Sequence, residues 1–401
     1  MPPPGGPPDT EPPKLLSVTP DSGTVNVLPR AVVFTFDDVI AERGTGPTGL
    51  AANVLVSPVS GETSVAWSRD QLYVRASKGF RPNAVYTVTL VPGLTDLRGN
   101  VMKTGRTVVF STGGDIPDTR VGGIAFDWVK GTPLTKGYVE AIRRADSTVY
   151  LALTDSSGRF AMRHLPPGEY TLQAVSDANT NRKREPREAW ASQVVTLRDT
   201  LAAELLTFVH DTLGPRISAF AISDSQTIKL TFDQPLLPEF TPRPSLFAIV
   251  RATADSTAVP LRAVLSVAAY DSLARQRKAQ RADTSDALAR AEPPAAATPA
   301  VPLPVRADTG ARRGTRSDSV TPPPKPSRPS PISDLVLELA EPLTPGTRYV
   351  VRADSLPGLL GAFRKSERVF LTPAARDTTA TDSTRRRAPA RRPAPRPPAT
   401  P

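Results

Sequence analysis

The stretch DANTNRKREPRE, residues 177–188, places Asp177, Asn179, Asn181 and Glu188 at positions 1, 3, 5 and 12 of a loop. Oxygen donors at alternating positions let one loop curl around a hard cation, and a distal carboxylate closes the shell, so this spacing is calcium chemistry. Position 6, where such loops use Gly for a sharp turn, is Arg182, and Lys183, Arg184 and Arg187 repel a cation. A plain polar loop accounts for the same residues, and the spacing leaves the two readings side by side.

Other chemistries are narrowed by counting. The chain has no cysteine, which excludes disulfides, thiolate zinc sites, iron-sulfur clusters and Cys nucleophiles. Its two histidines are His164, in RHLPPG, and His210, in FVHDT. A Ser-His-Asp triad needs a base held by a third group and a nucleophile on a shaped turn, and neither is visible around these histidines. No GxSxG, HExxH, P-loop or dinucleotide fingerprint is present.

Asp37 and Asp38 follow VVFTF, and Asp233 follows KLTF. Recurrence at the same strand end is what a structural turn produces, whereas hydrolysis needs a separated acid and base. Trp67, Trp128 and Trp190 would serve a sugar-binding platform, but they sit in three separate places, and packing in cores or interfaces is expected of them. We therefore expect no catalytic residue, and no cofactor unless calcium occupies the 177–188 loop. An enzyme built from noncontiguous Asp, Glu, Ser or Tyr residues is the reading this leaves open.

The net charge of +11 invites a nucleic-acid reading, but residues 271–330 and 376–401 supply +10 of it. The basic character belongs to Pro/Arg-rich segments and not to a shaped face. Such segments suit diffuse, salt-sensitive contact with anionic polymers rather than specific nucleic acid.

The elements that must position these residues read as β. Proline, at 45 residues, is about twice its usual share of roughly 5%. Strand-like runs recur at 15–18, 31–36, 53–57, 71–76, 86–91 and 107–111, with PDSG, SPVSG and DLRGN as turns. That spacing predicts a sandwich of about seven strands over 13–113. A second unit over 120–200 contains GGIAFDW, GYVEAIRR, VYLALTD, GRFAMRHL and EYTLQAVSD, with Gly158 of TDSSGRF expected at positive φ.

A third unit, 213–375, echoes the first. PRAVVFTFDDVI parallels SQTIKLTFDQPL, and RPNAVYTVTLVPGLTDLRGN parallels TPGTRYVVRADSLPGLLGAF. Its middle is interrupted at about 270–331 by an Ala/Pro/Arg-rich stretch too poor in apolar residues to offset chain entropy. That insert is expected to be disordered, with a transient helix in DSLARQRKAQRADTSDALARAE. Residues 1–12 read as a Pro/Gly tether and 376–401 as a basic disordered tail. No apolar run reaches the roughly 18 to 20 residues of a membrane helix.

The residues PPKLLSVTPDSGTVNV, VVFTFDD, FRPNAVYTVTLVPGLTDLRGN and TVVFST resemble the bacterial Ig-like domain of the SbsA type, found in S-layer proteins and envelope lipoproteins. TDSSGRFAMRHLPPGEYTLQAV resembles the carboxypeptidase regulatory-like, transthyretin-type sandwich. These resemblances imply an all-β chain of tandem sandwiches acting as scaffold, spacer or adhesive unit in a bacterial cell envelope, with envelope proteins or anionic polymers as partners. The leader PPPGGPPDTEPPKL is similar to the stretch after the lipidated cysteine of such lipoproteins. Membrane attachment is then expected only through a lipid anchor encoded upstream.

Overall fold

The computed structural model describes residues 9–42, 49–253, 256–289 and 324–374, without the side chains of 281–289. Most of the tether, the central part of the insert and the basic tail lie outside the described residues, as do the expectations made for them.

In the first module, the strands are β1 (Leu15–Thr19), β2 (Val32–Phe36), β3 (Val54–Ser57), β4 (Thr63–Ser68), β5 (Gln71–Ala76), β6 (Val85–Leu90) and β7 (Arg106–Ser111). They form two antiparallel sheets, β1-β2-β5-β4 and β3-β6-β7, around one core. Alternation in VVFTF buries Val32, Phe34 and Phe36 between the sheets. Strand β4 was not among the expected runs. Its outward residues are Ser64, Ala66 and Ser68, and its inward ones, Thr63, Val65 and Trp67, are only half buried, so no strong alternation marks it.

The middle module holds β8 (Arg120–Asp127), β9 (Thr132–Pro133), β10 (Gly137–Arg143), β11 (Val149–Leu153), β12 (Arg159–Arg163), β13 (Gly168–Ser176), β14 (Ala189–Leu197) and β15 (Thr200–Val209). One curled sheet runs β11-β10-β13-β14-β15-β8-β12, with β9 on β8 and the end strands β11 and β12 brought back together. All its pairs are antiparallel except β15 on β8. There the backbones come so close that a Cβ on Gly123 would lie 1.9 Å from the Ala203 carbonyl oxygen, which reserves the position for glycine. Gly158 has φ 73° and closes its turn as expected, with the Asp155 carboxylate accepting from the Ser157 and Arg159 amides. The expected end near 200 falls one strand short, because β15 completes this sheet to Val209.

The third module comprises β16 (Ile217–Asp224), β17 (Thr227–Leu236), β18 (Phe247–Arg251), β19 (Ala258–Val259), β20 (Leu261–Ser266), β21 (Ile332–Leu339), β22 (Arg348–Pro357) and β23 (Phe363–Leu371). Its sheets, β16-β17-β21-β20 and β19-β18-β22-β23, repeat the strand order of the first module with β19 added at one edge. Details repeat as well. The Tyr86 hydroxyl accepts from the Arg81 amide and Tyr349 from that of Thr344. Each tyrosine stacks on a phenylalanine, Phe110 or Phe370, at a centroid distance of 5.6 Å.

This correspondence locates the insert. Strands β4 and β5 are joined by a two-residue turn, Arg69-Asp70, between the paired Ser68 and Gln71. The equivalent pair, β20 and β21, is joined by the whole stretch from Val267 to Pro331. Helix α1 (Val267–Ala289) occupies its first part, beginning before the run expected to be helical, and is pinned by Arg277 Nη1 to Glu338 Oε1 at 2.7 Å.

Candidate functional site

Cross-strand neighbours set a row of side chains across the middle sheet on the face away from its core. Tyr138 pairs with Val175, Val175 with Trp190, and Trp190 with Phe208. The intervening Val139, Ala141, Leu172 and Ala174 point the other way, into the core. His210, just past β15, lies nearly parallel between two of these rings, 3.8 Å from Trp190 and 4.2 Å from Phe208 by centroid. Its Nδ1 is 3.0 Å from the Phe208 carbonyl oxygen and serves as the donor there. Burial, helped by the charge of Arg184, outweighs that hydrogen bond and moves the imidazole below its ordinary pKa.

The 177–188 loop lies over this row. Asp177 is buried, and its Oδ1 and Oδ2 accept the Asn181 and Arg182 amides at 3.0 and 2.9 Å. The side-chain amides of Asn179 and Asn181 both donate to Glu185 Oε1, at 3.2 and 2.9 Å, and Glu188 Oε2 accepts the Glu185 amide. The four residues chosen for calcium spacing are thus brought into one loop, each holding a hydrogen bond within it. Two basic residues counted against a cation face outward from that loop in useful ways. Arg184 sets its guanidinium 4.7 Å over the Trp190 ring, and Arg182 donates to the Val54 and Ala52 carbonyls of the first module at 2.7 and 2.5 Å.

Beneath the loop, Tyr138 and Glu140 sit two apart on β10. Burial first, then the charges of Glu140, Asp177 and Glu188, raise the phenol above its ordinary pKa, with Arg184 opposing. Burial likewise raises Glu140, again opposed by Arg184.

Further contacts complete the joint to the first module. The Val59 amide donates to the Val149 carbonyl at 2.8 Å, the Leu151 amide to Ser57 Oγ at 3.0 Å, and Arg81 Nη1 to Thr148 Oγ1 at 3.3 Å. Edge strands β3 and β11 meet here. At the other end of the row, Trp128 packs edge-on against Phe208 at 5.8 Å and carries the guanidinium of Arg328, 4.9 Å from its centroid. Arg328 in turn pairs with Glu239 of the third module at 2.9 Å. The result is a ladder, Arg184, Trp190, His210, Phe208, Trp128 and Arg328, running from the 177–188 loop to the joint with the third module.

The remaining candidates have local roles. His164 Nδ1 is 2.7 Å from the Pro117 carbonyl oxygen, and Trp67 packs on the first core with its indole nitrogen buried and without a partner. Asp37 Oδ1 accepts the Lys14 amide at 2.7 Å and Asp233 Oδ1 the Arg216 amide at 2.9 Å, the same strand-end clamp in two modules. Among the described residues, one group of three acidic side chains has ligand atoms within 4.8 Å of one another: Asp9, Asp38 and Asp96. Asp96 is already engaged by the Arg98 and Asn100 amides and the Asn100 side chain. Burial alone would raise its pKa, but these donors lower it.

The first module's seven strands in two sheets, with the DLRGN turn clamped by Asp96, are the arrangement a family comparison would be expected to find. Residues 9–112 match the bacterial Ig-like domain family. The acidic trio and the Asp37 clamp therefore both fall within the matched residues, and the match ends before the middle module begins. No curated protein matches the chain.

Among solved structures, the N-terminal part of the bacterial S-layer protein SbsC is 17% identical, over 47% of this chain and 44% of that one, with a TM-score of 0.18. An L,D-transpeptidase from Mycobacterium smegmatis is 11% identical over 49% of this chain and 90% of that one, with a TM-score of 0.19. BcpA, the major pilin subunit of Bacillus cereus, is 9% identical over 49% and 71%, at 0.17. The chain spans less than half of the SbsC structure it matches. Overlaps this low carry no functional weight, and the three proteins differ in what they do.

Sequence reasoning did not assemble the ladder. Trp190 and Phe208 come from β14 and β15, and Trp128 and His210 from the residues just past β8 and β15, and only the pairings of β14 with β15 and of β15 with β8 put them in one row. The available signal was the pair of aromatic residues two apart, Phe208 and His210, closing an apolar strand.

Proposed function

We propose that the chain is a non-enzymatic structural or adhesive component of a bacterial cell envelope, a spacer of β-sandwich modules whose joints are held in fixed geometry. One observation carries the reading: each joint of the middle module is clasped by an arginine, Arg182 reaching the Ala52 and Val54 carbonyls of the first module and Arg328 stacking on Trp128 while pairing with Glu239 of the third. A spacer must resist bending, and contacts that tie each joint to a rigid sheet resist it better than a bare linker. The match of residues 9–112 to the bacterial Ig-like domain family supports the same reading. The finer identities proposed are a carboxypeptidase regulatory-like sandwich for the middle module and a second, interrupted Ig-like domain for the third.

Fractionation of the producing bacterium with an antibody to the chain tests the location. Recovery with the envelope is the expected outcome, and recovery in the cytosolic fraction would overturn it. Small-angle scattering tests the spacer. The full chain should give one maximum dimension unchanged by salt, and a broad distribution of dimensions would remove the fixed-joint reading.

Calcium binding by the 177–188 loop is the alternative, supported by the gathering of the Asp177, Asn179, Asn181 and Glu188 oxygens in one hydrogen-bonded loop. The ion would have to displace the bonds that Asp177 and Glu188 now accept from loop amides. Calorimetry decides: a rise in melting temperature with calcium, abolished by Asp177→Ala with Glu188→Ala, supports it, and no shift removes it.

A further inference from the structure

Where the insert returns to the third module, residues 327–331, Ser-Arg-Pro-Ser-Pro, cross the end of the middle sheet. The indole nitrogen of Trp128 donates to the Pro329 carbonyl at 3.0 Å. The Arg328 guanidinium lies over the same ring and pairs with Glu239. The Ser327 amide donates to Glu204 Oε1 at 2.8 Å, and its hydroxyl to Glu204 Oε2. Ser330 closes over Gly131, where a Cβ would come within 2.9 Å of its hydroxyl oxygen. A short segment, bent at Ser327 and Arg328, is thus read by an aromatic donor, two carboxylates and a glycine floor.

These are the elements of proline-rich peptide recognition. An indole reads the carbonyl of a pre-extended chain, its face takes the cation that precedes the proline, and the acids add charge selectivity. The same four-residue pattern occurs once more near the end of the chain. Arg328-Pro-Ser-Pro331 is matched by Arg392-Pro-Ala-Pro395. In both, arginine precedes the first proline and a small residue separates the two.

We propose that Trp128, Glu204, Glu239 and Gly131 form a binding seat for Arg-Pro-x-Pro segments, filled by residues 327–331, and that Arg392–Pro395 of the C-terminal tail is its second occupant. The strap holds the seat by tethering, since a segment anchored next to its site competes at an effective concentration near the millimolar range. The tail enters when the strap is released.

The test uses the full chain and a chain ending at Ala374, each with and without Ser327→Ala/Arg328→Ala, which loosens the strap. The probe is a fluorescent peptide covering residues 389–398, PARRPAPRPP. In the chain ending at Ala374, loosening the strap should tighten peptide binding at least tenfold, and equal binding would overturn the seat. Restoring the tail to the loosened chain should weaken peptide binding at least threefold by competition. No change there would overturn the tail as occupant.

Glu204→Gln/Glu239→Gln attacks the seat itself, and should shift tryptophan emission to the red as the strap lifts without any gain in peptide binding. A gain would overturn the assigned acids. A control peptide with Pro393 and Pro395 replaced by alanine keeps every arginine. If it binds as well as the parent, the attraction is charge alone and the seat is refuted.

Discussion

Glu140 is a residue whose environment opposes its charge. It lies under the 177–188 loop, burial raises its pKa, and the opposing charge is that of Arg184. A carboxyl whose folded pKa is raised holds its proton where the unfolded chain has already lost it. Ionisation therefore costs stability, and the cost grows as pH rises from the ordinary value of 4.5 through the folded value. Glu140→Gln should accordingly stabilise the middle module at pH 7, with the gain vanishing below pH 4.5. Thermal melts of both proteins at the two pH values check it, and an equal gain at both would mean the effect is packing. The sequence displayed the oxygen-rich spacing of Asp177, Asn179, Asn181 and Glu188 plainly, yet nothing in it marked Glu140, because a single acid in an alternating strand looks solvent-facing. The charge that bears on Glu140, that of Arg184, comes from a loop that begins 37 residues later, and proximity of that kind leaves no local pattern.

At the level of elements, legibility followed the contrast between the two faces of a strand. Strands with one apolar face, such as VVFTF in β2, announced themselves. Strand β23, FRKSERVFL, did not, because as an edge strand with a single buried position, Phe370, it presents mostly polar and charged residues. The joints were least legible, being made from backbone groups. Arg182 shows the consequence. It was a reason to doubt a calcium loop, but in the structure its guanidinium reaches two carbonyls at the start of β3. Hydrogen bonds to a charged group are worth roughly 1.5 to 3 kcal/mol each, so Arg182→Ala should uncouple the first two modules without unfolding either. Calorimetry should then resolve two transitions where the unaltered chain shows a merged one. Arg182→Lys, which cannot donate in two fixed directions at once, should recover at most part of the coupling, whereas full recovery would assign the joint to charge alone.

Across the whole molecule, the third module is the first with a long stretch of chain in place of a two-residue turn. A hairpin turn is the place where such an insertion disturbs least, since it leaves the inner pairing intact: β21 pairs with β17 along most of its length, and only β20, at the sheet edge, depends on β21. The thermodynamic cost is closure of a longer loop, which grows only logarithmically and amounts to about 3 kcal/mol for a thirtyfold increase in length. Part of it is offset by what the stretch contributes in return, the Arg277 pair with Glu338 and the strap over Trp128. Replacing residues 267–331 by a four-residue Gly/Asn linker between Ser266 and Ile332 separates these terms. The third module should keep its fold and gain intrinsic stability, while its joint to the middle module, stripped of Arg328 and Ser327, should loosen. A melt of the third module that rises or holds, together with a broader distribution of dimensions in scattering, is the expected pair of results. A third module that unfolds would mean that the insert is part of its core, and that the correspondence with the first module stops at strand order.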